Sequence, residues 1–313
     1  MSERSEDAAI PGCQAYNPDP GKPKLHIPPG SCDCHAHIFG PEDQYPYTRN
    51  RSYTPPEAST AAYLRMLDAL GFERAVIVQP SVYGIDNSCT RDAIVASGGM
   101  WRGVAVVEPC VPDSRLAELH AAGFRGVRIN LLFKGGLHME TLEQIARAIQ
   151  PLGWHVQLLL DGRDLPALAG RLRRLPVDFV VDHMGHMPAS LGVAHPGFQT
   201  LLDLLRGGRC WVKLSGAYRI SAEPQPYDDA IPIARALVET APDKLVFGTD
   251  WPHPSISVPM LQDANLLDLL PLWAPDEATR QKILVENPTR LYDFPTVRSG
   301  VTAETQSAQS VRS

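Results

Sequence analysis

A chain of 313 residues with 44% hydrophobic side chains can bury one large core, and 35 acidic against 29 basic groups leave a net charge of −6. With no global basic field and no dense Lys/Arg stripe, nucleic-acid binding is disfavoured, and any anionic ligand needs cations gathered locally. The opening MSERSEDAAI has no apolar signal core and no later apolar run approaches a membrane span, so the chain reads as cytoplasmic, without a membrane partner.

In chain order, residues 1–30 carry several Pro and Gly without periodicity and predict an extended N-terminal arm. Short β-rich runs follow at 31–37, 75–79, 103–107, 126–129, 154–160, 178–182, 210–214 and 245–249. Helical patterns intervene at about 59–71, 88–98, 113–122, 139–150, 164–174, 197–207, 228–240 and 277–285. The stretch 297–313 is polar and predicts a disordered tail. Eight strands alternating with helices predict an α/β fold, a (β/α)8 TIM barrel forming a single domain over 31–296. The continuous apolar character of the strands fits a parallel sheet covered by helices. An open doubly wound sheet is the competing architecture, but no GxGxxG turn follows a strand to support it.

The six cysteines, at 13, 32, 34, 89, 110 and 210, form no CxxC pair and read as small packed residues rather than reactive thiols. Cys32 and Cys34 alternate with two histidines, which assigns them to the opposite face of the first strand.

Those histidines, His35 and His37, stand two residues apart where the first strand should end. Side chains at i and i+2 leave a strand on one face, so both rings can converge on a metal ion or on a carbonyl oxygen to be polarised. In a barrel the chemistry sits at the C-terminal ends of the strands, and polar groups recur there. Gln79 and Ser81 end the second predicted strand, Glu108 the third, and Arg128 and Asn130 the fourth. Asp182 and His183 end the sixth, Ser215 and Arg219 follow the seventh, and Asp250 ends the eighth. A helix cap explains any one of them; their joint placement points to a site.

Asp33-Cys34-His35-Ala36-His37-Ile38-Phe39-Gly40-Pro41, Asp182-His183-Met184-Gly185 and Gly248-Thr249-Asp250-Trp251-Pro252-His253-Pro254 resemble the amidohydrolase superfamily, and within it the 2-pyrone-4,6-dicarboxylate lactonase group. Gln79-Pro80-Ser81-Val82-Tyr83-Gly84 and Gly126-Val127-Arg128-Ile129-Asn130 strengthen the likeness, which runs from about residue 27 to Tyr292. The resemblance implies an enzyme that hydrolyses a small anionic lactone in bacterial aromatic catabolism. Asp250 is then the general base that takes a proton from water, while His35, His37 and His183 polarise the carbonyl and hold the oxyanion. A carboxylate beside imidazoles stays ionised at neutral pH, and general-base help is worth roughly 10²–10⁴ in rate.

Many superfamily members bind divalent ions. The lactonase group implies no cofactor, whereas the metal alternative is one Zn²⁺ on His35, His37, His183 and Asp250. A dinuclear site needs a bridging Lys or Glu after strand four and a histidine on strand five; His155 lies at the start of that strand and reads as structural. By resemblance, Arg128 and Arg219 are carboxylate clamps, matching a planar anion with a two-pronged fork. Ser81, Tyr83 and Tyr53 are the hydroxyl donors beside them. Where the group's pattern has a further arginine after strand four and a tyrosine on strand five, this chain has Lys134 and Leu159. That departure keeps sulfo- and carboxy-muconolactones and sugar-acid lactones in view, with His186 and Trp251 placed to reshape the pocket. The rivals are a Zn-dependent decarboxylase built on the same residues and a non-catalytic anion-binding protein. A homo-oligomer is compatible with all of these readings.

Overall fold

The computed structural model describes residues 10–133 and 139–295. Eight strands, β1 (Cys32–Ala36), β2 (Arg74–Val78), β3 (Trp101–Ala105), β4 (Phe124–Asn130), β5 (His155–Leu159), β6 (Phe179–Val181), β7 (Cys210–Leu214) and β8 (Leu245–Phe247), pair in sequence order. Every pair is parallel, with helices between strands, which is the (β/α)8 barrel expected. The barrel closes at its mouth, where Ala36 bridges Trp251. There the His37 N–H donates to the Trp251 carbonyl and the Asp250 N–H to the His35 carbonyl, both at 2.8 Å. The seam of the barrel therefore ties the histidine pair to the aspartate.

The helices follow from local signals. Thr60–Leu70 starts at Ser59, whose side chain accepts from the Ala62 N–H, and stops at Gly71, held at φ 88° where a side chain would be strained. Its buried Ala62, Tyr63, Met66, Leu67 and Leu70 recur at helical spacing and face the sheet. The last helical stretch runs past its predicted end, with Glu277–Gln281 passing through one wide turn, Lys282–Glu286, into Asn287–Leu291. Short helices at Asp263–Leu267 and Leu270–Trp273 were not legible in the periodicity. Among the described residues no helix is long and apolar enough to cross a membrane. Residues 10–30 form no helix or named strand, and the tail expected over 297–313 lies outside the described residues.

Two expectations are corrected. β3 sits two residues earlier than the apolar run suggests, because the Val106 N–H is taken by the Asn87 side chain at 3.0 Å instead of by a neighbouring strand. Glu108 is consequently an exposed loop residue that does not line the cavity at Asp250. The cysteines of β1 are not on the face opposite the histidines. A register shift between Asp33 and Ala36 inserts a bulge, so strict alternation fails there. Cys32 and Cys34 pack inside the barrel with Val76, Val78, Val104, Val180, Trp211 and Val246, over Tyr292 and Phe294.

Candidate active site

The interior of the barrel is apolar at its base and polar at its mouth, and β1 carries the change. Asp33 is the strut: its carboxylate accepts from the Thr249 N–H (2.8 Å), the Thr249 hydroxyl (2.6 Å) and the Tyr63 hydroxyl (2.8 Å), and from the His35 N–H (3.2 Å). Burial pushes its pKa up to about 6 against these bonds. Gly248 is dictated by the same junction, since a Cβ there would lie 2.6 Å from His35 Cβ and 2.9 Å from its backbone nitrogen. Gly216 plays this part for His183, whose Nδ1 would be 2.8 Å from an added Cβ. His183, His186, Asp250 and His253 all have positive φ, between 48° and 67°, in a region costly for side-chain-bearing residues. Such backbone is held only where its surroundings over-determine it.

Asp250 is the centre. Its Oδ2 accepts from the Tyr218 hydroxyl at 2.5 Å and from Arg219 Nε at 2.6 Å. Among the described residues its buried Oδ1 has no hydrogen bond, and it faces three imidazoles, with His35 Nε2 at 3.6 Å and His37 and His183 Nε2 at 3.8 Å. The His35 ring lies 5.1 Å from that of His37 and 4.7 Å from that of His183. Each ring is fixed from behind. His37 Nδ1 contacts the Val78 carbonyl at 2.8 Å, and His183 Nδ1 the Ser215 hydroxyl at 2.9 Å. His35 Nδ1 lies 3.3 Å from Lys213 Nζ and 3.4 Å from Asp182 Oδ1. Tyr218 is braced in turn by His253 Nδ1 at 3.0 Å, and His253 Nε2 by Asp263 at 3.0 Å.

Charge follows from this geometry. Burial alone would protonate Asp250, but the Arg219 guanidinium beside it holds its carboxyl well below the usual range. Asp182 is likewise raised by burial and brought well below that range by His35, Lys213 and Arg128. Burial lowers all three imidazoles; His35 falls to about 4, with Lys213 adding to the effect and Asp182 opposing it. The site at rest is therefore ionised carboxylates, neutral imidazoles and paired cations.

A pocket at the barrel mouth opens onto Asp250, lined by His37, Tyr53, Ser81, Arg128, His183 and Arg219 among others. Those six and Asp250 are brought together at the mouth, while His35 is fully buried behind Asp250 and is not part of the lining. Arg128 Nη2 reaches Asp182 at 3.2 Å, its buried Nε has no partner among the described residues, and Arg219 also donates to the Pro254 carbonyl at 3.0 Å. Leu159 and His186 line the cavity too. Tyr83 stands apart from it: its hydroxyl accepts from the Gly40 N–H at 3.1 Å and its ring packs on Phe39 and Tyr47. Trp251 is buried between Tyr16 and Tyr63, and Lys134 lies outside the described residues.

Sequence reasoning gave no role to Lys213, Gln157 or Tyr218, and saw Asp182 only as a strand end. Lys213 is fully buried, with Nζ donating to the Cys34 carbonyl and Gln157 Oε1, both at 2.8 Å. The available signal is alternation: Trp211, Lys213 and Ser215 share one face of β7, and that face points inward.

Residues that could hold a divalent ion converge here, but not as the single set of four, His35, His37, His183 and Asp250, that the metal alternative expects. Among the described residues two such groups satisfy a ligand geometry, His35 with His37 and Asp250, and His35 with Asp182 and His183. The orphaned His35 Nε2 and Asp250 Oδ1 fit that purpose.

A family model described as amidohydrolase matches residues 32–294. The chain is 40% identical over 299 residues to the 2-pyrone-4,6-dicarboxylate hydrolase of Comamonas testosteroni, covering 92% of this chain and 98% of that one. It is 38% identical over 297 residues to a 4-sulfomuconolactone hydrolase of Hydrogenophaga intermedia, covering 93% and 98% respectively. A ligand-free crystal structure from Agrobacterium tumefaciens matches with a TM-score of 0.82 at 30% identity, covering 88% of this chain and all of that one.

Proposed function

The chain belongs to the amidohydrolase family, and we propose that it is a cytoplasmic hydrolase of a small anionic lactone from aromatic catabolism, with Asp250 as general base and no metal required. The single observation that carries this reading is the bare Asp250 Oδ1, ionised and surrounded by three imidazole Nε2 atoms beside a cation-flanked cavity.

In this reading the attacking water gives its proton to Asp250 Oδ1 as its oxygen adds to the lactone carbonyl. The charge that develops on the carbonyl oxygen is met by ring N–H donors. The intermediate collapses with cleavage of the bond to the ring oxygen, which recovers the proton from Asp250, leaving an open-chain acid. The three histidines do not share one task. The Val78 carbonyl only accepts, so His37 must carry its proton on Nδ1, and its neutral Nε2 is a lone pair that steadies the water. His35 and His183 are left as the oxyanion donors. Arg219 keeps Asp250 ionised and, with Arg128, offers guanidinium edges to the anionic groups of the substrate; the unpartnered Arg128 Nε is a donor already desolvated for that purpose. Ser81 and Tyr53 add hydroxyls to the same wall.

A divalent ion, where present, would be held by His35, His37 and Asp250, with His183 beside them, and would supply Lewis-acid polarisation. The test takes purified protein through a panel of pyrone dicarboxylate, sulfo- and carboxy-muconolactones and sugar-acid lactones, following ring opening spectrophotometrically with and without a chelator. Turnover of at least one anionic lactone at an unchanged rate in chelator is the expected result. Failure on the whole panel sinks the lactonase reading; activity lost to chelator and restored by Zn²⁺ replaces the metal-free mechanism.

A further inference from the structure

Lys213 is buried inside the barrel beneath the site, outside the cavity lining; burial lowers its pKa to about 8, with Asp182 opposing, so it is mainly an ammonium at neutral pH. Two of its three hydrogens are spoken for, by the Cys34 carbonyl and Gln157 Oε1 at 2.8 Å each. The third has two acceptors within range: His35 Nδ1 at 3.3 Å with hydrogen-bond geometry, and Asp182 Oδ1 at 3.7 Å as a charge contact. Asp182 already receives Arg128 and Gln157 on its other oxygen, at 3.2 and 3.1 Å. An ammonium has no lone pair to offer, so a bond between it and Nδ1 requires Nδ1 to be the acceptor.

We propose that Lys213 is a positioning residue that sets the tautomer of His35, holding its proton on Nε2 so that the ring presents a donor to the reacting centre. His35 and His37 are then opposite tautomers two residues apart, one a donor and one an acceptor, each fixed by what lies behind its Nδ1. Without Lys213 the alternative is ready-made. Asp182 Oδ1, 3.4 Å from His35 Nδ1, is an acceptor already behind the ring, so the proton moves to Nδ1 and a lone pair turns toward Asp250 Oδ1. That arrangement cannot stabilise an oxyanion, and it exposes the lone pair that a metal ligand needs. The functional half of this inference rests on the lactonase reading; the tautomer itself does not.

The test is nitrogen-detected NMR of protein labelled at histidine, with the His35 signals assigned by loss in His35→Asn. In the resting wild type, His35 is expected to be protonated at Nε2 alone and His37 at Nδ1 alone. Lys213→Met should move the His35 proton to Nδ1, while Lys213→Gln, whose amide can still donate to Nδ1, should keep it on Nε2. Turnover should follow the tautomer, kcat falling at least tenfold in Lys213→Met with KM little changed, and recovering in Lys213→Gln. A wild-type His35 protonated at Nδ1 overturns the proposal, whatever the variants do and whether or not any lactone is a substrate. So does an Nε2 proton that persists in a folded Lys213→Met.

Discussion

His35 and His155 are buried equally deep inside the same barrel, at 0% and 2% exposure, and stand at its opposite ends. Burial is the leading cause of the low pKa of both, about 4 for His35 and about 3 for His155, and Lys213 adds to each. Their surroundings then diverge. His35 has a carboxylate near each ring nitrogen, Asp182 and Asp250. His155 has no hydrogen-bond partner at either nitrogen, sits edge-on to Tyr292 at 5.2 Å, and fits only because residue 126 is glycine, whose Cβ would lie 2.6 Å from Nε2. Burial neutralises an imidazole; convergent charge behind and before it makes the imidazole useful.

The sharpest way to break this contrast is to remove the charge at the mouth. Asp250→Asn keeps the shape and takes away the base, so kcat/KM should fall by roughly 10²–10⁴ with circular dichroism and melting behaviour retained. An active Asn variant would move the base elsewhere. The matching change at the base of the barrel, His155→Leu, should leave kcat/KM within about twofold, since no group there touches the cavity.

Arg219→Gln tests what keeps Asp250 ionised. The guanidinium favours the carboxylate, so its loss raises the Asp250 pKa, and the acid limb of the kcat/KM profile moves to higher pH. At neutral pH the drop should be about tenfold or more, the size expected for losing a charge-assisted hydrogen bond. An acid limb that stays in place would assign it to another group.

The base of the barrel has its own pH signature, smaller and carried by stability. His155 takes up a proton near pH 6.5 when unfolded but only near 3 when folded, so below pH 6.5 the unfolded chain binds the extra proton and stability falls with pH. The slope is at most about 1.4 kcal/mol per pH unit. Between pH 7 and 5, urea unfolding should show the wild type losing about 1–2 kcal/mol more than His155→Leu. Equal losses would mean that His155 is protonated in the folded state.

What could be read in the sequence tracks with what is local. The eight apolar runs, the His35–His37 spacing and the Asp182-His183 and Asp250 strand ends all rest on neighbours in the chain. The bulge in β1 does not. It lies where Gly248, more than two hundred residues away in the chain, packs against His35, and Cys34 turns inward there beside the histidine. Lys213 was obscured for the same reason. In Trp211-Val212-Lys213-Leu214 it is one charge in an apolar run, and its partners, Cys34, His35, Gln157 and Asp182, arrive from three other strands. The limits of β3 depended on which acceptor the Val106 N–H would find, and that was a side chain from the preceding loop.

Tyrosines give the finest version of the comparison. At the mouth, the Tyr218 hydroxyl bonds Asp250 and His253, at 2.5 and 3.0 Å. At the base, the Tyr292 hydroxyl is buried without a partner among the described residues, in a cluster otherwise made of Cys32, Cys34, Trp211, Leu291, Phe294 and valines. A hydroxyl taken out of water and given nothing in return costs free energy, and removing it removes the cost. Tyr292→Phe should therefore leave turnover untouched and raise unfolding stability by about 0.5–1 kcal/mol, whereas Tyr218→Phe should lower kcat/KM by loosening Asp250. A destabilised Tyr292→Phe, read by urea midpoint at constant m-value, would mean that the hydroxyl has an acceptor at the base after all, and the division of the barrel into an apolar base and a polar mouth would have to be redrawn around it.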